Sequence, residues 1–201
     1  MPRKSDAKQK LVDAANVLIW EQSYGSTSVD SICDKAGVKK GSFYYFFESK
    51  SELAVKALED AWQVRKPAFD ALFSPAVPPL ERIERYFAEV YRKQCGALEQ
   101  HGRVLGCPLF TLGSEISTQD QAIRVKVESI LSAYLKYFES AIRDAHEAGL
   151  IEAPDAKQKA RILFAYLEGS LTQARIRNDV SGLKDLAEGA FDILGAKMAQ
   201  L

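Results

Sequence analysis

Apolar residues recur every three or four positions along most of this 201-residue chain, which is the period of an amphipathic α-helix. The alternation with a period of two that is typical of strands does not persist anywhere, and no internal repeat is visible. The pattern therefore predicts an all-α fold. The first apolar stripe predicts a helix over about residues 5–23, and its core positions are Leu11, Ala14, Ala15, Leu18 and Ile19.

Longer stripes in the rest of the chain predict further helices. They cover about residues 49–73, 79–98, 119–146, 156–176 and 183–198. Two breaks interrupt this pattern. The proline-rich segment 74–79 is a candidate domain boundary, because proline cannot continue a helix. The segment 101–117 is broken by several glycines and a proline, so we expect one short helix or two broken turns there.

The stretch from Thr27 to Lys50 contains two short helical patterns separated by a glycine turn. Thr27 and Asp30 have the spacing of a capping box, so Thr27 is predicted to cap the first helix. Gly37 suits its end, because glycine adopts the left-handed conformation without a steric cost. The second helix, at about residues 40–46, is basic at its start and carries tyrosines on its outer face. Two short helices joined in this way are typical of a helix-turn-helix, which reads duplex DNA.

The same stretch, extended to Leu53 as TSVDSICDKAGVKKGSFYYFFESKSEL, resembles the signature of TetR-type transcriptional regulators. Mild departures are Cys33, where the family usually has alanine, and Tyr45, where histidine is common. The resemblance implies a three-helix DNA-binding head in residues 1–48 and a helical effector-binding and dimerisation domain in residues 49–201, with a linking helix at about 49–73. It also implies a repressor that binds a palindromic operator as a dimer and is released by a small-molecule effector.

The side chains expected to contact DNA fall into two groups. By resemblance, Tyr44 and Lys50 grip backbone phosphates, and we expect Lys40, Ser42 and Tyr45 to reach base edges. A plain alternative for Lys50 is a solvated surface lysine. The full predicted DNA-binding set is Thr27, Ser28, Lys39, Lys40, Gly41, Ser42, Tyr44, Tyr45 and Lys50.

The overall charge is zero, with 27 basic and 27 acidic residues, and gives no support for DNA binding by itself. The distribution of the charges changes that conclusion. Four lysines between residues 35 and 50 face a single acid, Glu48, and a second basic cluster lies near the N-terminus at Arg3, Lys4, Lys8 and Lys10. Local basic patches of this kind supply the phosphate contacts on which affinity for DNA depends.

Composition and motifs argue against other classes. No apolar run approaches the roughly 18–20 residues that span a membrane, and the polar start is not a signal peptide, so we expect a cytoplasmic protein without a membrane partner. No nucleotide-binding, metal-binding or serine-hydrolase motif is present, and no cofactor is expected. Two alternatives stay open: a cysteine-dependent enzyme that uses Cys107, with His101 as its base, and a DNA binder without an effector.

The candidate effector site lies in the segment 106–117. Over this short stretch the chain resembles the Gly-Cys-Leu segment of a TetR subgroup that includes electrophile-sensing repressors. In those relatives the matching cysteine reacts with electrophiles or oxidants and the repressor leaves DNA, which implies a sensing role for Cys107. A reactive thiolate needs partial exposure and a nearby positive charge or helix N-terminus, and Arg175 or Arg103 could supply the charge. The alternative is a buried, inert cysteine. The predicted sensing set is Cys107, Arg175, Phe110 and Tyr134.

The stripe over residues 156–176 differs from the others because its apolar residues lie on two faces. A helix of that kind is expected to be buried on both sides. In the family, the two C-terminal helices pair with their symmetry mates in a four-helix interface, so the resemblance implies a homodimer. The alternative is that both faces belong to the core of a monomer. The predicted interface residues are Phe164, Leu167, Leu171, Leu186, Ala190, Phe191 and Leu194.

Overall fold

The computed structural model describes residues 4–196, and within that range the chain folds into α-helices and one 3-10 turn, without strands. The all-α prediction is confirmed. None of the described helices combines the length and the hydropathy that crossing a bilayer requires. The helices are α1 (Lys4–Glu21), α2 (Val29–Ala36), α3 (Lys40–Phe46), α4 (Lys50–Leu72), α5 (Pro79–His101), α6 (Pro108–Ile116), α7 (Gln121–Glu147), α8 (Ala156–Arg177) and α9 (Leu186–Leu194), and the 3-10 turn is Ser181–Leu183.

Helix boundaries follow the apolar stripes closely except at the last helix. The broken segment 101–117 forms one short helix, α6, after a turn through Gly106. The last predicted helix begins three residues late, because Ser181–Leu183 forms a 3-10 turn ahead of it. It ends at Leu194, where Gly195 takes a left-handed φ of 69°. The predicted extension of this helix to residue 198 lies outside the described residues, as does Arg3.

The capping prediction for α2 is wrong by one residue. Ser28, in extended conformation, is the N-cap: its Oγ accepts the backbone N–H of Ser31 at 3.0 Å, and the Ser31 hydroxyl accepts the N–H of Ser28 at 3.0 Å. Thr27 is fully buried, and its hydroxyl donates to the Ser23 carbonyl at 2.7 Å. The reason is that α2 starts one residue later than the sequence spacing suggests, which leaves Thr27 pointing into the core.

The chain forms two compact units that are discontinuous in sequence. The first runs to Lys66 and also contains Pro108–Leu131; the second contains Pro67–Cys107 and the chain from Ser132 onward. Pro67 lies inside α4 and opens the second unit, where it cannot donate a helical hydrogen bond. The proline-rich segment 74–79 lies within the second unit. The predicted division after residue 48 stays a prediction.

In the first unit, α1, α2 and α3 form a small core, and α6 packs against α1. Ile32 and Phe43 are fully buried in this unit. Gly113 allows α6 to approach α7, because a Cβ at this position would lie 2.8 Å from the Cγ1 of Val127. A segment distant in sequence is thus part of the unit that carries the helix-turn-helix.

The core of the second unit is built largely from aromatic rings. Phe87 and Phe138 are fully buried and meet edge to face, with ring centroids 6.2 Å apart. An ion pair from Arg82 to Asp144, with Nη1 and Oδ2 2.6 Å apart, joins α5 to α7, and Arg82 also donates to a carbonyl of the 74–78 turn. The rings that surround this core are Phe69, Phe73, Tyr86, Tyr134, Tyr137 and Phe164.

Helix α8 is buried on one face and open on the other. All seven residues predicted to form a dimer interface are buried within the single chain: Phe164, Leu167, Leu171, Leu186, Ala190, Phe191 and Leu194. They pack α8 and α9 into the core of the second unit of the single chain, and their role in a dimer interface stays a prediction. The apolar and small residues that stay exposed along α8 are Ile162, Ala165, Gly169 and Ile176.

Candidate functional site

Helix α3 presents a polar and aromatic outer face. Phe43 is fully buried and anchors the helix, while the side chains of Tyr44 and Tyr45 are 57% and 65% exposed. Lys39 precedes the helix in extended conformation and is exposed, as is Gly41, and Ser42 is half-buried. A Cβ on Gly41 would meet no atom within 4 Å, so the surface at this point is open. This face can lie in a DNA groove without rearrangement of the core.

An ion pair connects the two helices of the helix-turn-helix. The Nζ of Lys40 lies 2.8 Å from one carboxylate oxygen of Asp30 and 3.0 Å from the other. The hydrogen bond to Asp30 raises the pKa of Lys40. Both side chains are exposed, so the pair is screened by solvent. Lys40 would have to exchange this partner to reach a base edge.

The ammonium group of Lys50 points into the protein rather than away from it. Its Nζ donates to the carbonyls of Tyr24 at 2.8 Å and Thr27 at 2.9 Å, and lies 4.0 Å from the centre of the Tyr24 ring. Burial lowers the pKa of Lys50, and the nearby charge of Glu115 acts in the opposite direction. A phosphate role for Lys50 stays a prediction, and the geometry gives this lysine a structural role beside it.

Glu115, on α6, also binds the loop at residues 24–27 whose carbonyls accept from Lys50. Its carboxylate accepts the backbone N–H groups of Tyr24 at 3.0 Å and Gly25 at 2.6 Å. A Cβ on Gly25 would lie 2.9 Å from this carboxylate, so the approach depends on glycine. We call Tyr24, Gly25, Thr27, Lys50 and Glu115 the loop clamp. The role of Glu115 is not evident from the sequence, because no spacing rule relates this residue to a loop 90 residues away.

The predicted sensing residue Cys107 is half-buried and lies directly before α6. Two side chains fix the turn that leads to it. The amide of Gln94 accepts the N–H of Gly106 at 2.9 Å and donates to its carbonyl at 3.3 Å. The guanidinium of Arg175 donates to the Leu105 carbonyl at 3.0 Å. The structure thus places Arg175 beside the turn before Cys107, and an effect of its charge on the thiol stays a prediction.

A carboxylate that the sequence analysis did not consider faces Cys107. Glu168 on α8 is only 3% exposed, and the Cys107 thiol donates a hydrogen bond to it. Burial raises the pKa of Glu168 to about 7, and the thiol hydrogen bond lowers it less than burial raises it. The signal was present in the sequence, since position 168 lies one turn from both Phe164 and Leu171 on the buried face of α8. We call Cys107 and Glu168 the thiol site.

The other sensing residues and the other cysteines occupy different surroundings. Tyr134 is buried in the aromatic core of the second unit, and Phe110 lies partly exposed on α6 in the first unit. Burial raises the pKa of the Cys33 thiol, which makes it a poor nucleophile, and Cys95 is half-buried on α5. Across residues 4–196 no group of acidic, histidine and cysteine side chains is arranged to hold a metal ion.

Family comparisons match both halves of the chain. Residues 11–57 match the family described as bacterial regulatory proteins, tetR family. Residues 79–189 match the family described as tetracyclin repressor-like, C-terminal domain. The first match contains the whole helix-turn-helix, and the second contains both Cys107 and Glu168.

Individual relatives are distant but cover nearly the full length. The HTH-type transcriptional repressor DhaR of Mycobacterium sp. strain GP1 is 26% identical over 195 residues, covering 95% of this chain and 93% of the relative. The HTH-type transcriptional repressor NemR of Escherichia coli K12 is 22% identical over 182 residues, covering 90% and 89%.

Solved structures show the same fold. The reduced form of E. coli NemR superposes with a TM-score of 0.81 at 22% identity, covering 96% of this chain and 100% of that one. A transcriptional regulator of the TetR family from Agrobacterium tumefaciens superposes with a TM-score of 0.84 at 20% identity, covering 96% and 99%.

Proposed function

This chain belongs to the TetR family of bacterial regulatory proteins and is a DNA-binding transcriptional regulator; from that premise we propose that it is a repressor that leaves its operator when an electrophile modifies Cys107. Two of its relatives, DhaR and NemR, are named as transcriptional repressors. The relatives reported above are regulators, so they give no support to the cysteine-dependent enzyme. We place its action in the cytoplasm, where its DNA partner is.

DNA recognition is assigned to the outer face of α3. Tyr44, Tyr45 and Lys39 are exposed there, and the helix is anchored from behind by Phe43. Tyr44 contacts a backbone phosphate in this proposal, and Ser42 and Tyr45 contact base edges. Tyr44→Phe should then weaken binding to all sequences alike, whereas a change at Tyr45 should alter which operators are preferred.

Assembly into a two-fold dimer is assigned to the exposed face of α8. Ile162, Ala165, Gly169 and Ile176 lie along one side of this helix and stay exposed in the single chain. A dimer built there would present two copies of α3 to successive major grooves, so the operator should be a pseudo-palindrome. Ala165→Glu should give a folded monomer, as measured by sedimentation. The same variant should have lost tight operator binding, as measured by titration with operator DNA. Phe191→Arg, in the core, should unfold the chain instead.

We assign release from DNA to a structural change that passes from Cys107 to α6, which begins at the next residue. Cys107 is the residue before Pro108, at which α6 begins, and Glu115 on α6 binds the loop that leads into the helix-turn-helix. The Glu115 contact is the observation that carries this proposal, because it gives α6 a direct hold on the head. A covalent change at Cys107 would shift the start of α6, loosen the loop clamp and misplace α3.

Two linked experiments test the function. Genomic fragments bound by the purified protein are sequenced to find the operator, and its release is then followed as N-ethylmaleimide is added. The wild-type protein and Cys95→Ser should release the operator, whereas Cys107→Ser should bind it and not respond. If Cys107→Ser responds at the same concentration, the thiol proposal is refuted and a non-covalent effector replaces it. If no compound releases the operator, the effector-independent reading is correct.

A further inference from the structure

The buried carboxylate of Glu168 is incompletely paired. Its side chain lies in the apolar stripe of α8 between Phe164 and Leu171, both of which are also buried. Its Oε2 atom is shielded from solvent and has no hydrogen-bond partner among the described residues. An ionised carboxylate in such surroundings is costly, because burial removes it from solvent and no hydrogen-bond donor of the described chain reaches Oε2. The group therefore gains free energy from taking up a proton.

A proton donor is already in place beside it. The Cys107 thiol donates a hydrogen bond to the Glu168 carboxylate, and the backbone before Cys107 is held by Gln94 and Arg175. Cys107 is half-buried, while Glu168 is almost fully buried. Of the titratable groups in the described chain, the Cys107 thiol is the one that shifts the pKa of Glu168, while Arg175 lies at the turn before Cys107, where its guanidinium donates to the Leu105 carbonyl.

We propose that Glu168 is the proton acceptor that activates Cys107, a role that rests on the thiol sensing proposed above. The sulfur attacks the β-carbon of an α,β-unsaturated carbonyl compound such as a maleimide or a quinone. As the S–C bond forms, the C=C π pair moves toward the carbonyl oxygen to give an enolate, and the thiol proton passes to the Glu168 carboxylate. The carboxylic acid then returns this proton to the α-carbon. The net reaction is an addition, with no leaving group, and Glu168 ends ionised as it began.

This role has a pH signature that a packing role lacks. Glu168 can accept a proton only when it is ionised, and burial places its pKa at about 7. An ordinary thiol, with a pKa of about 8.5, is only a few per cent ionised at pH 7. The rate of reaction through the Cys107–Glu168 pair should therefore rise near pH 7, well below the pH range in which an ordinary thiol ionises. At a pH high enough for an ordinary thiol to ionise unaided, the carboxylate should hinder reaction, since a neighbouring negative charge disfavours the thiolate.

The test is the rate of N-ethylmaleimide addition to Cys107 in the full-length protein between pH 5.5 and 9.5, read by peptide mass. Wild-type protein should show a rise centred near pH 7. Glu168→Gln should lose this rise and react on the order of tenfold more slowly at pH 7, a modest share of the roughly 10²-fold effect of a positioned base. At pH 9.5 the variant should react as fast as wild type or faster. Glu188→Gln, an exposed acid on α9, serves as the matched control and should follow wild type.

Each outcome decides the proposal. A wild-type profile with a single rise in the ordinary thiol range overturns it even if Glu168→Gln fails to fold, and so does a Glu168→Gln profile identical to wild type. Operator release is followed in the same samples, which separates this proposal from the function. Release with an unchanged Glu168→Gln profile refutes only the proton acceptor. A Glu168-dependent profile without release supports the proton acceptor and refutes the thiol-sensing function.

Discussion

The loop clamp and the thiol site both contain ionisable side chains that are at least partly buried, but they differ in how completely those side chains are paired. In the loop clamp, the Lys50 ammonium donates to two carbonyls and the Glu115 carboxylate accepts two backbone N–H groups. In the thiol site, Glu168 is more deeply buried than either, and one of its oxygens is left without a partner in the described chain. Satisfied polar groups rigidify a structure, whereas an unsatisfied acid favours proton uptake. The first site is therefore suited to holding a loop and the second to reacting.

The largest effect is expected for substitution of Glu168, which removes the incompletely paired acid of the thiol site. Its pKa of about 7 in the folded chain exceeds the ordinary value of 4.5, so the folded state binds the proton more tightly than the unfolded state. The stabilisation is complete below about pH 4.5 and is lost as the pH rises through about 7. Because glutamine does not titrate, the free energy of unfolding of Glu168→Gln minus that of wild type should rise by about 3 kcal/mol from pH 4.5 to pH 8.

Denaturant unfolding at the two pH values measures this difference. Glu188→Gln is the control, because the acid it removes is exposed and its substitution should change little. A difference between Glu168→Gln and wild type that stays constant across the pH range would show that Glu168 is not held near neutrality by its surroundings. The contrast with the loop clamp would then disappear.

A second effect of about 2 kcal/mol is expected at Lys50. Lys50→Ala removes a charged donor from two carbonyls and should lower the free energy of unfolding by this amount. Because the two carbonyls already bind the ammonium, operator affinity should fall for all sequences alike with an unchanged dependence on salt, so the variant also tests the phosphate role that the resemblance implies. Lys35→Ala, an exposed lysine on α2, is the matched control. If Lys50→Ala leaves stability intact and reduces the salt slope by about 1, Lys50 grips a phosphate instead.

The smallest effect is expected at Glu115. Glu115→Gln keeps one acceptor oxygen but presents an amide N–H₂ to the second backbone donor, so it should cost about 1 kcal/mol. Operator binding should weaken in step with the increased mobility of the loop. The control is Glu128→Gln, a largely exposed acid on α7 in the same unit. Operator affinity equal to that of the control would remove Glu115 from the release pathway.

The sequence was sufficient for the elements and for the recognition helix. Apolar stripes located nearly all of the helices, and the local pattern of α2 and α3 identified the helix-turn-helix, because such signals are carried by neighbouring residues. The cap of α2 was misplaced by one residue, since Thr27 and Ser28 are chemically similar and only packing decides that Thr27 is buried.

Long-range partners were not accessible from the sequence. Glu115 and the Tyr24–Gly25 loop are 90 residues apart, and Lys50 was expected at the surface because no local pattern shows that two carbonyls surround it. The inner and outer faces of α8 were both apolar, so the sequence could not tell which one the chain itself covers. Glu168 is the exception, because an acid within an apolar stripe is visible in the local sequence and indicates a candidate functional residue.

Hydrogen exchange at the amides of Tyr24 and Gly25, measured before and after N-ethylmaleimide modifies Cys107, is the most direct test of whether the loop clamp takes part in release. Both amides donate to Glu115, so their exchange should be slow in the unmodified protein and faster once Cys107 is modified, and the reagent should leave their exchange unchanged in Cys107→Ser. Release of the operator while both amides keep their protection would contradict this expectation, because the loop clamp would then have no part in the response.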